Sequence, residues 1–244
     1  MKNSMTTASK LFAAAAVLLG SMGSANADPL TYYYTDWTTW NPGGGTAVGV
    51  ITLPDLSTVN VTFNAVTSAG APGSFLGVAG PSIWLPTTAY TGAQVANAST
   101  YEALQLVGEN NMTYRVTLSA PIKDPLMDVT TLGSSGTPAT YVFDAPFTIL
   151  SQGPTCCWGS GTLTQPAPNI IEGREGAGAL QFIGTYSTFS WTMPNSEFWH
   201  AFTFGIRTTL AIEPDPPSSV PEPSSLALLG LALAGLAFTR RRKQ

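Results

Sequence analysis

The chain has 244 residues, of which only 10% are charged, and its formal net charge is −4. Charge that sparse lies far below the ~25% of an ordinary soluble protein, and 24 glycines with 19 prolines argue for many short strands joined by turns, against a helical architecture. Between Asp28 and Val220 there are four bases (Arg115, Lys123, Arg174 and Arg207) and thirteen acids, which gives a formal charge of −9; this argues against nucleic acid as a partner, because phosphate backbones need Lys and Arg.

The first 27 residues have three parts. Lys2 and Lys10 supply positive charge, Leu11 to Leu19 is an unbroken apolar run, and Ala25 and Ala27 stand at the −3 and −1 positions of a cleavage site before Asp28. This is the layout of a secretory signal peptide removed by signal peptidase. The apolar run is too short for a permanent membrane helix. These 27 residues contain no twin-Arg pair, which points to the general secretion route.

Residues 28–212 read as one exported domain, large enough to bury a substantial core. Thr31 to Thr39 is rich in Tyr, Thr and Trp, and Val48 to Leu53 and Thr58 to Val66 flank the Pro54-Asp55 turn. In Thr58 to Val66 the side chains of Val59, Val61 and Phe63 alternate with Asn60, Thr62 and Asn64, the period of two that marks a half-buried strand. Met112 to Leu118 repeats the pattern, and Tyr141 to Phe143, Phe147 to Leu150, Leu180 to Ile183, Thr188 to Trp191 and Phe202 to Ile206 are further strands. Turn signals separate them at Gly70 to Gly73, Gly133 to Gly136, Gly153-Pro154 and Pro166 to Pro168. Tyr101 to Val107 reads as at most a turn or two of helix. The expected fold class is all-β, a single β-sandwich of jelly-roll-like type.

Catalytic patterns are sparse. His200 is the single histidine and there is no Gly-x-Ser-x-Gly elbow, so a serine triad has no framework. Glu172 and Glu175 could form a glycosidase pair, but their Gly-rich surroundings read better as a turn. There is no His-Glu-x-x-His and no Asp-rich calcium loop; a structural Ca²⁺ would have to draw on loop oxygens such as those of Asp124, Asp128, Asp144, Glu172 and Glu175. No cofactor and no catalytic residue is assigned. Cys156 and Cys157 are the only cysteines. In an oxidising compartment they either close a vicinal disulfide, bond another chain, or stay as buried thiols. Tyr32, Tyr33, Tyr34, Trp37 and Trp40 cluster early, and Trp158, Trp191 and Trp199 come later. Core packing claims most large aromatics; Trp158 and Trp199 are the two selected as sugar-stacking faces.

Beyond the body, Glu213 to Ser219 is a proline-rich linker (213–219). Val220 leads into Pro221-Glu222-Pro223, and Leu226 to Phe238 is a run of Leu, Ala, Gly and Phe that ends in Arg240, Arg241, Arg242 and Lys243. Those thirteen apolar residues span about 20 Å as a helix against the ~30 Å of a bilayer core, and the flanking residues and snorkelling Arg side chains can extend it. The basic end stays cytoplasmic and acts as a stop-transfer signal.

This order over 220–244 resembles the PEP-CTERM sorting tail of Gram-negative exported proteins. The resemblance implies recognition by exosortase through Pro221, Glu222 and Pro223, transient anchoring in the inner membrane by the C-terminal transmembrane helix, and release or transfer to the surface. The same tail also carries a label taken from ice-binding proteins, which says nothing about ice here. Segments from Asp144 to Gly205, with Glu172-Gly173-Arg174-Glu175-Gly176 and Phe198-Trp199-His200 among them, resemble a domain recurrent in surface proteins with such tails and imply one β-rich domain over roughly 100–210. The function expected is that of an exported, exosortase-processed, non-enzymatic surface or matrix protein that touches exopolysaccharide or biofilm and binds carbohydrate. The alternatives are an extracellular polysaccharide-active enzyme and a purely structural surface protein.

Overall fold

The computed structural model describes residues 29–108, 111–157 and 159–207. Ala25, Ala27, Trp158, the linker, Pro221 to Pro223 and Arg240 to Lys243 lie outside them. Among the described residues no helix is long and apolar enough to cross a membrane.

The strands run in chain order as β1 (Tyr33–Tyr34), β2 (Asp36–Asn41), β3 (Thr46–Thr52), β4 (Thr58–Val66), β5 (Phe75–Ala79), β6 (Ala103–Gly108), β7 (Met112–Lys123), β8 (Leu126–Leu132), β9 (Ala139–Phe143), β10 (Thr148–Gln152), β11 (Leu163–Ala167), β12 (Ile170–Gly173), β13 (Gly176–Gln181), β14 (Thr185–Met193) and β15 (Glu197–Ile206). They form two antiparallel sheets. The seven-stranded sheet has the order β10-β13-β8-β15-β6-β5, with β1 also paired to β15; the eight-stranded sheet runs β11-β12-β9-β14-β7-β4-β3-β2. From β6 onward the chain passes from sheet to sheet at nearly every connection, so neither sheet can form without the other.

The two sheets face each other across one core. The alternation read in the sequence sets its inner surface: Val59, Val61, Phe63 and Ala65 of β4 and Met112, Tyr114, Val116 and Leu118 of β7 are all buried. Aromatic rings join the layers. Phe202 of β15 lies 5.6 Å from Phe63, 5.2 Å from Trp191 and 6.1 Å from Trp37 by ring centroids, and Phe143 meets Phe182 at 5.0 Å. Such pairs contribute about 0.5–1.5 kcal/mol each beyond their buried area. Trp37 and Trp191 are therefore core residues, as are Tyr32 and Tyr34.

One expectation is corrected, and one strand had no sequence signal. Tyr101 to Val107 is not helical; most of it is β6, an inner strand between β15 and β5. β8, which no alternation announced, is buried on both faces: six of its seven residues are fully covered. The reason is a second layer outside the seven-stranded sheet. Residues 80–102, with 3₁₀ turns at Pro81–Trp84 and Thr87–Ala89, lie across that face as a strap. Trp84 and Tyr90 of the strap pack edge to face at 5.2 Å over Ala177 and Ala201, and the Trp84 indole donates to the Tyr101 carbonyl at 2.8 Å. A strand covered on both sides has no reason to alternate.

Under the strap lies a row of polar side chains. Asp128 of β8 is register partner of Thr203 on β15 and of Ala179 on β13, and it is fully buried. Burial pushes its carboxyl well above the usual carboxylate range, an effect only partly offset by the neighbouring Tyr34 hydroxyl. That hydroxyl itself donates to the Asn97 carbonyl at 3.0 Å, and burial with no charge partner among the described residues favours the neutral form of the Asp128 carboxyl. The folded state then holds its proton more tightly than the unfolded chain, whose carboxyl has a pKa of about 3.9. This contribution to stability is complete below about pH 4 and falls as pH rises toward the folded pKa. Asp128→Asn, which mimics the neutral acid, should match the parent at pH 3.5 and exceed it at pH 7 by roughly 1–3 kcal/mol. Urea unfolding at the two pH values checks this; a variant less stable at pH 7 would contradict it.

Candidate functional site

One end of the sandwich is built by three turns: β8 to β9, β12 to β13 and β14 to β15. Each is fixed by backbone geometry. Gly133 has φ +78°, and a Cβ there would overlap the Gly173 carbonyl oxygen, so no other residue fits. The Gly133 carbonyl accepts from the Glu175 amide at 3.1 Å, tying the first turn to the second. Asn195 ties the third turn to β9: its Oδ1 accepts from the Thr140 amide at 3.1 Å and its Nδ2 donates to the Pro138 carbonyl at 2.6 Å.

Between these turns lies a groove of about 440 Å³, lined by Thr131, Gly133, Ser134, Thr137, Glu175, Ser196, Glu197, Phe198 and Trp199. Two of the lining residues, Thr131 (φ +59°) and Glu175 (φ +56°), adopt the left-handed region without being glycine. For β-branched Thr131 this costs on the order of 1–2 kcal/mol, and strain of that kind collects where a backbone is held for a task.

The aromatic wall comes from a bulge. β15 shifts register against β6 between Glu197 and His200. By alternation Phe198 should share the inward face of Phe202 and Phe204, yet it is 88% exposed, because an extra residue reverses the facing of what precedes it. Trp199 is half-buried, packs against the cluster beneath the strap and donates from its indole to Gln105 Oε1 at 3.2 Å. The result is one anchored ring beside one solvent-facing ring.

Glu197 stands behind them with its side chain 8% exposed; its Oε2 lies 3.0 Å from Nδ1 of the fully buried His200, close enough for an ion pair though not aligned as a hydrogen bond. His200 also meets the Tyr141 ring at 5.4 Å. It is thus a core residue of β15. Glu172 and Glu175 part company: Glu172 sits in β12, paired with Thr140 and Thr164, and only Glu175 reaches the groove. The carboxylates offered for Ca²⁺ are dispersed as well. Asp124 accepts from the Gly184 amide at 2.8 Å and lies 3.5 Å from Arg207, Asp144 accepts from Ser190, and Asp128 is under the strap. Among the described residues no cluster of three or more His, Cys, Asp or Glu could hold a metal.

Cys156 and Cys157 are bonded to each other on an exposed loop. The Cys156 amide donates to the Leu85 carbonyl at 3.0 Å, and the Thr155 amide to Gly159 at 3.0 Å. The far limb of this loop rests on the groove wall: a Cβ on Gly159 would strike the Glu175 side chain, and one on Gly161 would coincide with the Arg174 carbonyl oxygen. Of the two sugar-stacking candidates, Trp199 lines the groove, while Trp158 falls outside the described residues. Phe198 and Glu197, which also line the groove, were not selected from the sequence. The signal for Phe198 was the apolar run Phe198-Trp199, whose consecutive large rings cannot both face inward from a regular strand; Glu197 had none. Gly161→Ala should displace the Arg174-Glu175 turn and lower stability by about 2 kcal/mol or more. Gly136→Ala, with nothing within 4 Å of the new methyl, should be neutral. Thermal melts of both variants check the contrast.

No curated protein and no solved structure matches the chain. Residues 219–243, beyond the sandwich, match the family described as the PEP-CTERM protein-sorting motif. The chain therefore carries a PEP-CTERM sorting motif, a recognition signal for exosortase that implies an exported protein, held transiently in the membrane before cleavage.

Proposed function

We propose that this is a non-enzymatic surface or matrix protein whose sandwich binds extracellular carbohydrate in the groove between the β8–β9, β12–β13 and β14–β15 turns. The mature domain starts at Asp28, ends near residue 212, and is joined by the 213–219 linker to a tail that exosortase removes. The strand order supports a jelly-roll reading of the domain. β6-β15-β8-β13 and β7-β14-β9-β12 correspond to the two four-stranded halves of such a roll, with the remaining strands added at the edges.

The observation that carries the binding role is Phe198, 88% exposed beside the anchored Trp199 at the wall of the groove. A large ring held in water costs hydration and gains nothing for the fold, whereas sugar rings present C–H faces that stack on aromatic planes. Thr131, Ser134, Thr137 and Ser196 supply hydroxyls along the same wall. A polysaccharide-active enzyme is the second reading, favoured by the presence of Glu175 and Glu197 in one groove. It predicts release of reducing ends that ceases when either is changed to Gln.

Affinity gel electrophoresis in polysaccharide-loaded gels tests the first reading. The parent should be retarded, and Phe198→Ala should lose about tenfold in affinity, the worth of one stacked ring, with no change in melting temperature. Equal retardation of parent and variant would remove Phe198 from the account.

A further inference from the structure

The groove's polar wall narrows the class of saccharide. Two of its lining residues are acids, Glu175 and Glu197, and none is a Lys or Arg. Arg174 precedes Glu175 in the chain and is exposed, but it is not part of the lining. Glu197 is the more telling of the two, because its side chain is only 8% exposed. A carboxylate withdrawn that far from water is costly unless a positive charge or several donors meet it. The His200 ring lies on its core side, with Nδ1 3.0 Å from Oε2. On the groove side stand the two aromatic rings.

Carboxylates and aromatic rings lining one groove, with no Lys or Arg among the lining residues, suit an ammonium group, because charge-assisted hydrogen bonds to the acids and attraction to the ring faces can act together. The same wall repels uronates, and the formal charge of −9 on the body between Asp28 and Val220 extends that repulsion over the approach. Resting on the carbohydrate reading above, we infer that the groove selects amine-bearing saccharides, units of a hexosamine polymer whose nitrogen is not acylated. Glu175 and Glu197 receive the ammonium, and Phe198 stacks on the ring that carries it.

The test compares oligomers of equal length by titration calorimetry: glucosamine with free amines, N-acetylglucosamine, and galacturonate, with oligolysine as a further cation. The free-amine oligomer should bind about tenfold tighter than its acetylated form at low salt. The preference should shrink as salt rises, and galacturonate and oligolysine should bind far more weakly. Glu175→Gln, on a surface turn, and Glu197→Gln should each reduce the preference, and the first safeguards the test should the second disturb the His200 contact. Equal or tighter binding of the acetylated oligomer or of galacturonate would overturn the amine preference and leave carbohydrate binding standing. Oligolysine binding as tightly as glucosamine would overturn it in favour of a general cation site. Binding of no saccharide at all would remove both readings.

Discussion

The contact between Phe202 and the aromatic rings of the opposite sheet is what the other features depend on. β15 is the spine of the seven-stranded sheet, paired with β1, β6 and β8, and its inward residues Phe202 and Phe204 meet Phe63, Trp191 and Phe189 of the eight-stranded sheet. This fixes the phase of β15 absolutely, since a slip of one residue would turn both phenylalanines outward. The outward side chains of the same stretch, Ala201 and Thr203, are then small enough to lie under the strap. With one face given to the core and the other to the strap, β8 and the later part of β15 are covered on both sides. The start of β15, where the covering ends, is the part that reaches the groove.

The groove at one end follows from the same constraint. Because the register is locked at Phe202 and the chain must still enter from the β14–β15 turn, the bulge between Glu197 and His200 absorbs the mismatch and turns Phe198 to solvent. The turns around it have little freedom. Gly133 touches Gly173, the Glu175 amide is bonded to the Gly133 carbonyl, and Gly159 and Gly161 of the disulfide-bearing loop press on the Arg174-Glu175 turn. A wall held this tightly is organised before any ligand arrives, which lowers the ordering cost of binding. The sorting motif at residues 219–243 implies export of such a domain, and the carbohydrate binding proposed for the groove would follow delivery.

The sequence was legible where one side of a strand faces water. β4 and β7 belong to the sheet with an open outer face, and their alternation could be read directly from Val59 to Ala65 and Met112 to Leu118. It was illegible under the strap, where Leu126-Met127-Asp128-Val129-Thr130 is buried throughout and polar residues look no different from surface ones. The Ala- and Gly-rich start of β13 failed for a related reason: small residues are required there by close approach to β10 and Leu163, and they carry no periodic signal. Trp199 was recognisable as an aromatic without an obvious core role. Phe198 was not, because a bulge is a tertiary compromise between the register of β6 and the aromatic lock at Phe202. The pairing of Glu175 with Glu197 joins positions from different turns and appears only once the strands are arranged.

The most direct test of the central claim, that the bulge-built end of the sandwich is the carbohydrate site, is a titration of ¹⁵N-labelled mature domain with glucosamine oligomers, followed by amide and indole shifts. The account predicts that the Trp199 indole and the amides of Gly133, Glu175 and Phe198 move together along one binding curve, while the strap amides around Trp84 and Tyr90 stay still. Shifts confined to the opposite end of the sandwich or to the outer face of the eight-stranded sheet would contradict it.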